Sequence, residues 1–221
     1  YDTYLTSIPL LVLYHSSYYT ALNKLGRMNI MTTIIYAHPW EESFNHAILE
    51  QVELTLTGNH VEYQVIDLYK DGFNPILTLE ELKLYSAGKT NYALVNDYQK
   101  IIQNSDSLIF IFPIWWYDVP AILKGFFDKV MLEKFAFLED EARNWTGLLT
   151  NIKKVNVITT ASMTKELLAQ NGDTIQNVLI NSTLSSIGIP SEITKWLHFG
   201  NITKSTESER HEFLSKIGTS I

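Results

Sequence analysis

From Thr32 onward, short β-branched apolar runs alternate with longer stretches of helical periodicity, and no other feature of the chain restricts its fold as much. Strand, helix and strand in repetition is the pattern of parallel strands joined by crossover helices. Thr32 to Ala37 reads as a buried strand, His38 to Glu42 as a loop, and Ser43 as the cap of a helix running to about Thr57. In that helix Phe44, Ala47, Ile48, Val52 and Leu56 share one face. Val61 to Asp67 alternates as a second strand, and Leu79 to Asn104 reads as helix with a break near Gly88. Ser107 to Phe112 is the third strand, stopped by Pro113, and Pro120 sits where a first helical turn accepts proline. Lys154 to Thr160, a helix from about Thr174 to Ile187, a fifth strand near Ile193 to Phe199 and a polar helix from Ser205 to Ile217 complete the series. The expectation is an α/β fold, a doubly wound sheet of five parallel strands with helices on both faces.

At 221 residues and 46% apolar composition the chain can bury a full core but not two large domains. Its 24 acidic and 17 basic side chains give a formal charge of −7, whereas broad nucleic-acid binding needs a cationic face. The absence of cysteine removes disulfides, thiolate catalysis and Cys-ligated metal centres. None of the six histidines falls in an H-x-x-x-H or H-E-x-x-H spacing, so no metal site is expected. No uninterrupted apolar run reaches the roughly 18 residues of a spanning helix, and a cytoplasmic protein is expected. Ile8 to Tyr14 is apolar but has its cations, Lys24 and Arg27, on the wrong side for a secretory signal. With Met28 and Met31 just ahead of the first strand, residues 1–30 read as an extension outside the fold, or as an amphipathic arm, and 31–221 as the folded domain.

In a doubly wound sheet ligands sit beyond the carboxyl ends of the strands. That rule selects three loops. His38-Pro39-Trp40-Glu41-Glu42-Ser43-Phe44-Asn45 leads into a helix start, where unpaired N–H groups favour an anion and His38, Ser43 and Asn45 add donors. An ordinary Ser cap beside an incidental His explains the same residues, and Glu41 and Glu42 oppose a phosphate unless they face solvent. Pro113-Ile114-Trp115-Trp116-Tyr117 offers flat aromatic area for a planar ligand, or packing at a subunit contact. Thr159-Thr160-Ala161-Ser162 is small and polar, which lets backbone approach a ring edge. There is no G-x-x-x-x-G-K-[ST] and no G-x-G-x-x-G, so a phosphate cradle beside an aromatic ledge suits a flavin better than a nucleoside triphosphate or a Rossmann dinucleotide.

Ala37-His38-Pro39 through Ser43-Phe44-Asn45, and Phe112-Pro113-Ile114-Trp115-Trp116-Tyr117 through Pro120-Ala121-Ile122-Leu123-Lys124-Gly125-Phe126-Phe127-Asp128-Lys129-Val130, resemble the NAD(P)H:quinone oxidoreductase family of flavodoxin-like flavoproteins. The likeness runs from about Met31 to Ile217 and includes Asn171-Gly172-Asp173. It implies a flavin-dependent reductase carrying two electrons as a hydride from NADH or NADPH to a quinone or similar acceptor, by ping-pong kinetics, in a homodimer. It further implies that His38, Ser43, Phe44 and Asn45 hold the flavin phosphate side, while Pro113, Ile114, Trp115, Trp116, Tyr117, Thr159, Thr160, Ala161 and Ser162 line the ring. FMN is favoured over FAD because the matched region leaves little extra chain for an adenosine.

Two departures stand out. Family members often carry Thr-Thr-Gly-Gly where this chain has Thr159-Thr160-Ala161-Ser162. Animal quinone reductases carry a Tyr and a His after that loop; no Tyr stands there here and Asn171 takes the place of the His, so no proton-relay residue is assigned. Two other readings share the fold: an electron-carrier flavodoxin, which suits the acidic charge, and a flavin-binding regulatory subunit of a membrane transporter.

Overall fold

Central strands covered on both faces are buried along nearly their whole length, as β1 (Met31–Tyr36), β3 (Ser107–Pro113) and β6 (Lys154–Thr160) are. The computed structural model describes residues 31–221; the leading segment with its Ile8 to Tyr14 run lies outside the described residues. With β2 (Glu62–Asp67) and β7 (Thr194–Phe199), these strands form a five-stranded sheet in the order β2-β1-β3-β6-β7, every pair parallel. This is the expected doubly wound sheet in flavodoxin-like order.

Alternation along the strands sends side chains to two cores. Ile34, Tyr36, Ile109, Ile111, Ile158 and Leu197 face α1 (Phe44–Gly58) and α6 (Glu207–Gly218), meeting Ile48, Val52, Leu56, Phe213 and Ile217. Ile35, Phe110, Phe112, Val155 and Val157 face the other way, toward α3 (Ala93–Gln103), α4 (Ala121–Val130) and the π-helix Ile175–Leu184. Each such aliphatic side chain contributes roughly 1.5–3 kcal/mol on burial, so a one-residue slip in any central strand would exchange the two cores.

The helix read as Leu79 to Asn104 is two, α2 (Leu79–Tyr85) and α3, separated at Gly88, which sits at φ +63° with the Glu133 carbonyl against the position a Cβ would take. The helix read from about Thr174 to Ile187 is present and is π-helical over Ile175–Leu184, and the Ser182 and Ser185 hydroxyls bond back five residues to the Asn177 and Ile180 carbonyls. Two elements had no counterpart in the sequence reading: the hairpin β4 (Phe137–Glu139) with β5 (Trp145–Gly147), and α5 (Lys165–Gln170). Their apolar positions are too few to show a period. Among the described residues no helix is long and apolar enough to cross a membrane.

The far end of α4 is locked by a buried ion pair. Lys129 Nζ lies 3.0 Å from Glu81 Oε1, donates to the carbonyls of Asn74 (2.8 Å) and Ile76 (3.1 Å), and sits 4.6 Å from the centre of the Tyr92 ring. Burial pushes the Glu81 carboxyl up, but bonds from Thr78 and the charge of Lys129 outweigh it and hold the group below its usual range. Lys129→Met would strand that carboxylate, and we expect a loss of about 3 kcal/mol in urea unfolding. Glu81→Gln added to Lys129→Met should return at least half; no recovery would mean that the carbonyl bonds of Lys129, not its charge, hold the segment.

Candidate active site

The carboxyl ends of β1, β3, β6 and β7 are held in step by single backbone bonds just past the strands. Ala37 N–H donates to Ile111 O (3.0 Å), Ile114 N–H to Thr160 O (2.8 Å) and Ala161 N–H to Phe199 O (3.0 Å). These bonds draw the three loops selected from the sequence around one cleft of about 460 Å³, inside the roughly 300–1,000 Å³ typical of small-molecule pockets.

On the first loop Ser43 caps α1, its hydroxyl accepting from His46 N–H at 3.1 Å. Among the described residues the Phe44 and Asn45 amides, first in the helix, find no protein acceptor. His38 and Asn45 flank them. His38 Nδ1 accepts from Trp40 N–H at 3.2 Å, which leaves Nε2 as its donor, and burial holds the imidazole below its ordinary pKa and so neutral at pH 7. Asn45 is 4% exposed; its Nδ2 donates to Thr160 Oγ1 at 2.8 Å while its Oδ1 has no partner. A buried amide oxygen with no donor is costly unless a ligand supplies one, and a polyol hydroxyl would.

The second loop is a tight turn. Trp115 and Asp118 exchange backbone bonds at 3.0 and 3.1 Å, and the two residues between them, Trp116 and Tyr117, sit at φ +51° and +68°. Asn-Gly usually fills such a turn, and each bulky residue held there stores on the order of 1–3 kcal/mol. The strain faces Trp115 into the cleft, with its ring 6.1 Å from His38, and leaves Trp116 94% exposed.

His38, Ser43, Phe44, Asn45, Pro113, Ile114, Trp115, Thr160, Ala161 and Ser162 line the cleft together. Three of the expected positions stand apart. Trp116 and Tyr117 lie at the outer edge of the turn, and Thr159 is fully buried behind the third loop, its hydroxyl bonded to Trp196 and His198. Asn171 caps α5 by bonding to Leu167 O at 2.8 Å and is not in the lining. Glu41 and Glu42 are both exposed, although Glu42 borders the cleft.

Trp40 and Glu42 of the first loop also line the cleft, as do Ile202 and Arg210, which the sequence reading passed over. Among the described residues Arg210 is the one permanent cation in that lining. Its Nε donates to Ser205 Oγ (2.9 Å) and an Nη to Ile202 O (3.2 Å), and the guanidinium lies 5.7 Å from the Phe44 ring centre. A basic residue three positions before buried Phe213, on the inward face of an otherwise polar helix, was the signal available. With helix-start amides, a neutral imidazole donor and one arginine, this end of the cleft suits a phosphate, and the aromatic end suits a flat ring.

Comparison with known proteins gives the family. Residues 31–217 match the family described as having a flavodoxin-like fold. An uncharacterized NAD(P)H oxidoreductase of Haemophilus influenzae is 33% identical over 171 residues, 76% of this chain and 83% of that protein. The structure of the NAD(P)H:quinone oxidoreductase from Methanothermobacter marburgensis superimposes with a TM-score of 0.77 at 28% identity, over 87% of this chain and 97% of that one. The FMN-dependent NADH-azoreductase of Bacillus anthracis, solved with FMN, shares the fold at a TM-score of 0.67 and 16% identity, over 86% and 97% of the two chains. The chain spans about half the length of the rat and orangutan quinone dehydrogenases it also matches.

An anion seated at the α1 start would favour the charged form of His38. Titrating the His38 ring protons by NMR should therefore give a midpoint below the ordinary imidazole value alone and a higher one with a phosphate ester added. An unmoved midpoint would put the anion elsewhere.

Proposed function

Because the chain belongs to the flavodoxin-like family of NAD(P)H oxidoreductases and quinone reductases, we propose that it is a flavin-dependent NAD(P)H oxidoreductase with FMN as its cofactor, reducing quinones or related acceptors by two electrons. The observation that carries this reading is the orphaned Asn45 Oδ1, buried beside two free helix-start amides at one end of a cleft walled by Trp115 at the other.

The residues fit the group. Phe44 and Asn45 amides, His38 Nε2, Ser43 and the Arg210 guanidinium would hold the phosphate, and Asn45 Oδ1 would accept from the sugar-alcohol chain. Pro113, Ile114 and Trp115 on one side and Thr160, Ala161 and Ser162 on the other would flank the ring. When bound, a flavin supplies the two-electron chemistry, and the protein supplies orientation and electrostatics. Trp116 and Tyr117, at the outer rim of the turn, would guide a planar donor or acceptor over the open side.

Donor and acceptor would share that opening, because no second dinucleotide turn exists in the sequence. NADH or NADPH would enter, leave oxidised, and yield the place to the acceptor. The exposed Trp116, Leu138 and Trp145 offer apolar area for a second copy, which supports a homodimer. The pyridine-nucleotide pool of the cytoplasm would supply the donor.

Two measurements test the reading. Purified protein should be yellow, or become so with FMN, and mass analysis of the released chromophore should give FMN; FAD would correct the cofactor, and colourless protein that binds neither would end the proposal. Initial rates with NADPH and a benzoquinone should give parallel double-reciprocal lines, with intersecting lines excluding alternate occupancy of one site.

A further inference from the structure

His198 lies on β7, outside the cleft lining, yet both its ring nitrogens are committed to the third loop. Nε2 lies 2.9 Å from the Met163 carbonyl and Nδ1 lies 2.8 Å from Thr159 Oγ1. A carbonyl can only accept, so Nε2 carries the proton and Nδ1 is the acceptor. Trp196 Nε1–H donates to Thr159 Oγ1 at 2.9 Å, which leaves the Thr159 hydroxyl proton for His198 Nδ1. One chain of bonds, from Trp196 through Thr159 and His198 to Met163, is thus complete with a neutral imidazole and with nothing left over.

The chain ends on the loop that faces the cleft. Ala161 N–H bonds to Phe199 O and Ile202 N–H to Ala161 O, both at 3.0 Å, so β7 grips the loop at its start and His198 grips it two residues later. Between those points the Ser162 and Met163 amides find no protein acceptor among the described residues. Gly200 closes the approach, since a Cβ there would stand 2.8 Å from Met163 O.

We propose that His198 is a positioning residue: its neutral, Nε2-protonated form fixes the Met163 carbonyl and so aims the free loop amides at the ring edge of the bound flavin. A second proton, on Nδ1, would oblige Thr159 to accept from both neighbours. The hydroxyl proton of a fully buried residue would then lack an acceptor, a loss that breaks the Thr159–His198 link and loosens the loop while the backbone bonds of Ala161 stay in place. Flavin affinity should fall with pH accordingly. Burial already holds His198 below the ordinary imidazole value; Lys165 of α5 works in the same direction, while Met163 O, Asp173 and Glu166 oppose it. Because the grip needs the neutral form, affinity is full above that titration and declines as pH falls through it.

The inference rests on the flavin reading, and the test separates the two. FMN affinity is measured by fluorescence quenching from pH 8 to pH 5 for the wild type, His198→Gln and His198→Phe. Gln can donate to Met163 O without titrating, so it should keep wild-type affinity at pH 8 and lose the acid decline. Phe should bind roughly tenfold more weakly at every pH, the equivalent of one hydrogen bond. Equal affinities for Phe and wild type, or an unchanged decline in Gln, would overturn the role. In flavin-free protein, long-range proton–nitrogen NMR should find the Nε2–H tautomer, and the Ser162 and Met163 amide shifts should follow the His198 titration. If they follow it and no flavin binds, the flavin reading fails while the grip stands; an Nδ1–H tautomer or unmoved amides sink the grip.

Discussion

Everything in the cleft depends on four strands ending at the same level. Ala37, Ile114 and Ala161 each spend their amide on a carbonyl of the next strand over, Ile111, Thr160 and Phe199 respectively, immediately beyond the regular ladder. Parallel pairing is what makes this possible, because every strand of the sheet arrives at the same edge with its loop still to run. The two cores below set the register by exchanging residue by residue, and the register in turn fixes which loop residues meet. A cleft assembled from residues as distant in sequence as Asn45 and Thr160, bonded at 2.8 Å, needs that foundation.

The walls of the cleft are built from groups that a purely structural protein would avoid. Asn45 Oδ1 is buried without a donor and, among the described residues, the helix-start amides lack acceptors, while at the rim outside the lining Trp116 and Tyr117 occupy left-handed backbone that glycine or asparagine would fill at less cost. Buried charge is paired, as the Lys129–Glu81 contact illustrates: the cation there has a carboxylate, two carbonyls and two aromatic rings around it. Among the described residues Asn156 Oδ1 and Tyr36 OH are also buried without a partner, but only Asn45 Oδ1 opens on the cleft, where a ligand could satisfy it together with the helix-start amides.

How much of this could be read from the sequence follows from where periodicity exists. Buried strands such as Ser107 to Pro113 announce themselves as unbroken apolar runs, and α1 declares both its cap, Ser43, and its inward face. The β4–β5 hairpin has three residues per strand, fewer than any alternation needs, and its pairing rests on tertiary contacts such as Trp145 stacked 4.2 Å from Phe137. Of the site, residues at strand ends and helix starts were accessible because the sheet's topology names those positions in advance. Arg210 and His198 reach the same region from the last helix and last strand; Arg210 is marked only by its place on the inward face of a polar helix, and nothing local in the sequence distinguishes a histidine that folds back on a distant loop. Thr159 shows the converse: adjacent to Thr160, it points to the opposite side of its strand, so period-two alternation divides a pair of identical neighbours between cleft and interior.

The replacement of glycines by Ala161 and Ser162 bears on the same loop. Neither residue has a positive φ, so side chains are accommodated without backbone strain. A glycine pair can shift its peptide planes to meet a ring edge, whereas Ala161-Ser162 has fewer conformations and must be held correctly from the start. Bonds from both sides of β7 supply that hold: Phe199 and Ile202 through the backbone, His198 through its ring. Stiffness gained in the loop and a grip added behind it are two halves of one solution, in which preorganisation replaces the adaptability that glycine would have given.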